Sequence, residues 1–204
     1  MFVQIIQGQI DDAAAAKQTL DLWLKDLQPG AKGWLGGTYG VTDDGLLVAV
    51  VRFESQEHAR RNAERPEQGA WWERMKGHFT GEITFRDCND VALLVGGGSD
   101  DATFVQVIQG QVRDVERAHA LIEQSGSLIS TYRPDVLGAT IAIDENGYFT
   151  ETVAFSSEAA ARAAELQPMP VEIQRLMEEE MSLLADARFL DLHHPWFASA
   201  KRPV

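Results

Sequence analysis

A nine-residue string occurs twice in this chain, 102 residues apart: Phe2-Val3-Gln4-Ile5-Ile6-Gln7-Gly8-Gln9-Ile10 and Phe104-Val105-Gln106-Val107-Ile108-Gln109-Gly110-Gln111-Val112. Seven of the nine pairs are identical and the other two exchange Ile for Val. The register continues through Gly36 and Gly138, Thr38 and Thr140, Gly45 and Gly147, Phe53 and Phe155, and Ser55 and Ser157. After Phe79 and Met181 the second copy gains two residues, so that Phe85 and Asp87 match Phe189 and Asp191. A chain of 204 residues made this way must fold one topology twice. We place the repeats at 1–98 and 103–204, meeting in the flexible stretch Gly96-Gly97-Gly98-Ser99-Asp100-Asp101.

Each copy reads as strand, helix, two strands, helix, strand. The opening string is apolar, β-branched and too short for a helix. Asp11-Asp12 then starts a helix, where carboxylates suit the positive end of the macrodipole. Ala13, Ala16, Leu20, Leu24 and Leu27 form its apolar stripe, and Pro29-Gly30 ends it. The runs Trp34–Thr42 and Leu46–Phe53 flank Asp43-Asp44-Gly45, with Glu145-Asn146-Gly147 in the same place in copy two. Asp-Gly and Asn-Gly tolerate the positive φ of a hairpin turn. Ser55 and Ser157 are placed to cap the next helix. The closing strand runs through Phe85 or Phe189, and Val91–Val95 extends it in copy one.

The order β-α-β-β-α-β is the ferredoxin-like unit. Its sheet carries helices on one face only, so the other face needs a cover, and two fused units can supply it to each other. The expected architecture is α+β: tandem ferredoxin-like (βαββαβ) repeats forming an intramolecular pseudo-dimeric α/β barrel.

Composition narrows the function. There are 10 basic and 16 acidic residues in 1–102, and 8 and 15 in 103–204. Nucleic-acid backbones need clustered Lys and Arg, so they are not expected partners. No apolar run reaches bilayer length, and the N-terminus lacks a basic leader before an apolar stretch, so a cytoplasmic protein without a membrane partner is expected. The lone Cys88 forms no intramolecular disulfide and no cysteine metal cluster, and it reads as a half-buried strand residue. His193-His194 has no supporting carboxylate–His spacing, so no metal site is expected.

The Phe53-Glu54-Ser55 step into the second helix, weakened to Phe155-Ser156-Ser157, resembles the dimeric α/β-barrel superfamily. So does the strand Asp90-Val91-Ala92-Leu93-Leu94-Val95. The nearest branch is the antibiotic-biosynthesis monooxygenase-like domains, here as two tandem copies. The resemblance implies a range from cofactor-free oxygenases of aromatic polyketides, through haem-degrading enzymes, to domains without known activity. Haem degradation is disfavoured. The Trp and the haem-ligating His of those enzymes fall on Asn62 or Ala164 and on Trp71 or Ile173, and their strand-one Asn falls on Ile6 or Gln7. A cofactor-independent monooxygenase would need a water-poor cavity, a base and stabilisation of developing negative charge. A non-catalytic metabolite- or protein-binding barrel is the alternative, and the sequence leaves the choice open. No cofactor is implied, and further association into a homodimer stays open.

The copies diverge where a site would lie. Trp34 faces Val136, Tyr39 faces Ile141, Arg52 faces Ala154, Trp72 faces Gln174 and His78 faces Glu180. These differences point to copy one, with His78 and Arg52 as catalytic candidates and Gln7, Trp34, Tyr39 and Trp72 as ligand-binding candidates. Trp71, opposite Ile173, reads as core. The glycines of Trp34–Gly40 mark a bulge or a close backbone approach, such as a ligand mouth.

Overall fold

The structure, a computed structural model, describes residues 1–200. The first repeat forms β1 (Phe2–Gln9), α1 (Ala13–Asp26), β2 (Trp34–Val41), β3 (Leu46–Phe53), α2 (Gln56–Ala63), α3 (Pro66–Lys76), β4 (Thr84–Cys88) and β5 (Asp90–Leu94). The second forms β6 (Phe104–Val112), α4 (Val115–Tyr132), β7 (Val136–Ile143), β8 (Tyr148–Phe155), α5 (Glu158–Glu165), α6 (Val171–Leu183), β9 (Leu184–Leu192) and β10 (Trp196–Ser199). The sheets are antiparallel five-strand layers of order β10-β2-β3-β1-β4 and β5-β7-β8-β6-β9. Four strands of each keep the ferredoxin-like order. The architecture is α+β, built from two copies of one unit.

The local signals act alike in both copies. Asp12 and Asp114 cap α1 and α4 by accepting from the N–H of Ala15 and Arg117, each at 2.9 Å. Ser55 and Ser157 cap α2 and α5 through His58 and Ala160. Gly45 and Gly147 turn the hairpins at φ +85° and +76°. The second helical stretch is broken in each copy, with α3 starting at Pro66 and α6 directly after Pro170, because proline lacks the donor that an unbroken helix needs.

Strand β5 does not extend β4. It pairs with β7, Ala92 opposite Ile141, on the edge of the second sheet. In return β10 pairs with β2, Trp196 opposite Tyr39, on the edge of the first. One compact unit therefore holds Met1–Asn89 with residues 196–200, and the other holds Asp90–Pro195. Bulges follow Trp34 and Val136, as the glycine-rich run suggests. The close approach there is made by the exchanged strands. A Cβ on Gly36 would sit 2.7 Å from the Ala198 carbonyl oxygen, and one on Gly138 would overlap the Gly97 carbonyl.

Alternation sorts each sheet into two faces. In the first unit Phe2, Leu47, Ala49 and Phe53 join Leu20, Trp23, Trp71 and Met75 of the helices in one core cluster. In the second, Phe104, Phe149, Val153 and Phe155 join Ala118, Ile122 and Ile173. Val3, Ile5, Val48 and Val50, and likewise Val105 and Val107, point the other way and are also buried. Cys88 is fully buried, not half-buried, because it points to that same apolar side. Among the described residues no helix is long and apolar enough to cross a membrane.

Candidate functional site

The second unit leaves space between its helices and its sheet. Strand β8 sends Phe149, Glu151, Val153 and Phe155 to one face by simple alternation, and β6 adds Gln106 and Ile108. Helix α4 contributes Ser125, Leu128, Ile129 and Tyr132, and α6 contributes Ile173, Leu176, Met177, Glu180 and Met181. Both sets follow three-and-four spacing, which aligns one side of each helix. Together they enclose a cavity of about 290 Å³ with mostly apolar walls.

Glu151 breaks that apolar stripe. It is 7% exposed, it sits mid-strand opposite Ile108 and Ile141, and no described group hydrogen-bonds its carboxyl. Burial pushes its pKa up to about 8, with the like charge of Glu180 adding to the effect. Glu180, from α6, is also raised by burial. Two carboxyls that repel each other titrate as a pair, and near neutral pH the pair keeps at least one proton. The basic wall residue, Arg133, is bound at Nε and Nη2 by Asp135, at 3.0 and 2.8 Å, and lies 5.7 Å above the Phe155 ring.

The equivalent space in the first unit is largely filled. Trp23 stands where copy two has Ser125, Trp34 where it has Val136, and Trp71 where it has Ile173. These indoles pack on one another, Trp23 to Trp34 at 5.4 Å and Trp23 to Trp71 at 6.2 Å. Trp23 and Trp71 also donate to Gln68 and to the Thr19 carbonyl, at 2.6 and 2.8 Å. About 90 Å³ remains. Ala49 and His78 occupy the positions of Glu151 and Glu180, so this half carries no acid pair.

No protein-family model matches the sequence, and no curated protein matches it. Solved structures do match. A candidate monooxygenase from Lactobacillus acidophilus NCFM superposes with a TM-score of 0.76 at 13% identity, covering 97% of this chain and 95% of its own. One from Fusobacterium nucleatum gives 0.74 at 10% identity, covering 97% and 94%. An anthrone oxidase-like protein gives 0.71 at 13% identity, covering 98% and 94%. The chain has the monooxygenase-like ferredoxin fold. The likeness spans both repeats and agrees with the resemblance carried by the Phe53-Glu54-Ser55 step.

Within this monooxygenase-like fold, the residues singled out from the sequence separate. Tyr39 and Trp72 line the small space of the first unit. Burial raises the Tyr39 phenol well above its usual value, with nearby Arg52 opposing the rise. Trp34 is buried behind that space against Trp23. Trp71 is core. Gln7, Arg52 and His78 are not among the walls. Gln7 and Arg52 alternate with wall residues Ile6, Val51 and Phe53 and so point to the other sheet face. Arg52 donates to Thr38 there, at 3.2 Å. His78 is tied to α1 through Thr19, at 2.8 Å.

Glu151 and Glu180 were missed as a pair. Composition drew attention to aromatic residues, and a ring that fills a cavity looks the same in sequence as one that lines it. The available signal was the lone charge in Phe149-Thr150-Glu151-Thr152-Val153, on the apolar face of a central strand. His193 lies with Glu158 and Asp191, their ligand-capable atoms within 4.8 Å of one another. These groups are already engaged: His193 Nδ1 meets Glu158 at 2.9 Å, and the Arg162 guanidinium bonds Asp191. The cluster fastens the end of β9 to α5.

Proposed function

We propose that this chain is a small-molecule-binding, monooxygenase-like protein whose working site is the acid-lined cavity of the second repeat. The observation that carries the reading is Glu151, an unpaired buried carboxyl facing an apolar space, with a pKa close to the working pH of a general base. The substrate class that fits is an electron-rich, hydroxylated fused-ring aromatic. The Glu151–Glu180 pair accepts its proton, and the resulting anion gives electrons to dioxygen. For a ring methylene beside a carbonyl, oxidation to a second carbonyl consumes one dioxygen: one oxygen atom enters the carbon and the other leaves as water. The solved structures named above for monooxygenase and anthrone oxidase-like activities support this reading by fold alone.

Dioxygen uptake with a panel of hydroxylated anthrones and naphthols, without added flavin or metal, tests the proposal. Uptake that falls at least a hundredfold in Glu151→Gln, with the fold intact, supports it. A ligand-induced rise in melting temperature with no uptake across the panel assigns the cavity to binding alone.

A further inference from the structure

The acid-lined cavity continues into a second recess. An open space of about 460 Å³ adjoins it, walled by Pro134, Asp135, Ser156, Ala164, Gln167 and Pro168, and the two spaces share Tyr132 and Arg133. The guanidinium at that junction uses Nε and Nη2 on Asp135, and Nη1 donates to no described group. The side chains of Arg133 and Asp135 are only 12% and 6% exposed. Copy one has Ala31 and Gly33 at these positions, so the shared fold does not require the pair.

We propose that the ligand spans both chambers: an uncharged fused-ring core against the acid pair, and a neutral, hydrogen-bond-accepting arm that passes Arg133 and takes its Nη1 proton donor. This rests on the second-repeat cavity being the ligand site. The charges decide the class of arm. The inner walls carry the Glu151–Glu180 pair, with Glu165 at the rim already paired to Arg162, and the positive charge of Arg133 is cancelled by Asp135. An anionic arm meets no uncompensated positive charge and is repelled, whereas a carbonyl or hydroxyl needs only the free N–H. Fastening by Asp135 makes Arg133 a fixed donor, so little side-chain freedom is lost on binding.

Three probes test this by calorimetry on the whole chain: 1-naphthol for the core, its neutral 2-(N-hydroxyethyl)carboxamide for core plus arm, and 1-hydroxy-2-naphthoate for an anionic arm. The carboxamide is expected to bind about tenfold more tightly than 1-naphthol, and the naphthoate more weakly than either. Arg133→Ala should erase the carboxamide's advantage and leave the 1-naphthol Kd within about twofold. Asp135→Asn, which keeps the arginine and uncovers its charge, should strengthen naphthoate binding about tenfold, an effect that a merely structural pair would not give. An advantage that survives Arg133→Ala, or naphthoate binding unmoved by Asp135→Asn, overturns the two-chamber proposal and leaves the cavity reading standing. Wild-type protein that binds none of the three overturns both.

Discussion

Repeat one and repeat two share a chain path, the same caps and the same hairpin glycines, yet they use the space between helices and sheet in opposite ways. In the first, Trp23, Trp34 and Trp71 occupy it; in the second, Ser125, Val136 and Ile173 leave about 290 Å³ open, and Glu151 and Glu180 look into it. A packed indole contributes to stability through burial and ring contacts. An open cavity forgoes those contacts, and a buried carboxyl adds a desolvation cost. The duplicated protein thus has one half arranged for stability and one that carries the destabilising features typical of a working site.

Exchanging the fillers should break this contrast most sharply. Trp23→Ser removes an indole with a defined hydrogen bond and is expected to cost about 3–5 kcal/mol, read by chemical denaturation. The reciprocal Ser125→Trp is expected to close the second cavity and reduce 1-naphthol affinity by at least about a hundredfold. If Ser125→Trp binds as wild type, the ligand site lies elsewhere.

A smaller effect comes from the acid pair, and its sign is definite. The folded pKa of Glu151 is raised to about 8 from an ordinary 4.5. Between those values the folded state holds a proton that the unfolded chain has released, so stability falls as pH rises through this window and levels off above it. The loss is on the order of a few kcal/mol. Turnover should move the opposite way, increasing as the pair ionises. In Glu151→Gln the pH dependence of the melting temperature should flatten and turnover should vanish together; a melting curve with unchanged pH dependence counts against the buried carboxyl as its source. Least affected should be His78→Ala and Arg52→Ala, each costing on the order of 1–2 kcal/mol for lost hydrogen bonding and leaving turnover within twofold.

What could be read from the sequence follows a physical division. Repetition, Asp-Gly and Asn-Gly turns, and Asp and Ser caps act over a few residues, so they expose the topology directly. The destination of Asp90–Leu94 was not legible, because its apolar pattern fits any sheet edge and the pairing partner lies some fifty residues away. The site was half legible. Alignment of His78 with Glu180 drew attention to that place on the helix, but the rings drew it to copy one, where about 90 Å³ stays open against about 290 Å³ in copy two. Only packing reveals whether a ring borders empty space or removes it. The charge at Glu151 was the more direct clue, since an acid on a buried face costs several kcal/mol unless something answers it.

The traded edges have a further consequence. Because β5 finishes the sheet of the later repeat and β10 that of the earlier one, either repeat taken alone would lack one edge strand of its sheet and expose a raw hydrogen-bonding ladder. Severing the backbone within Gly96–Asp101 should yield fragments that stay interlocked, each carrying the piece that the other lacks.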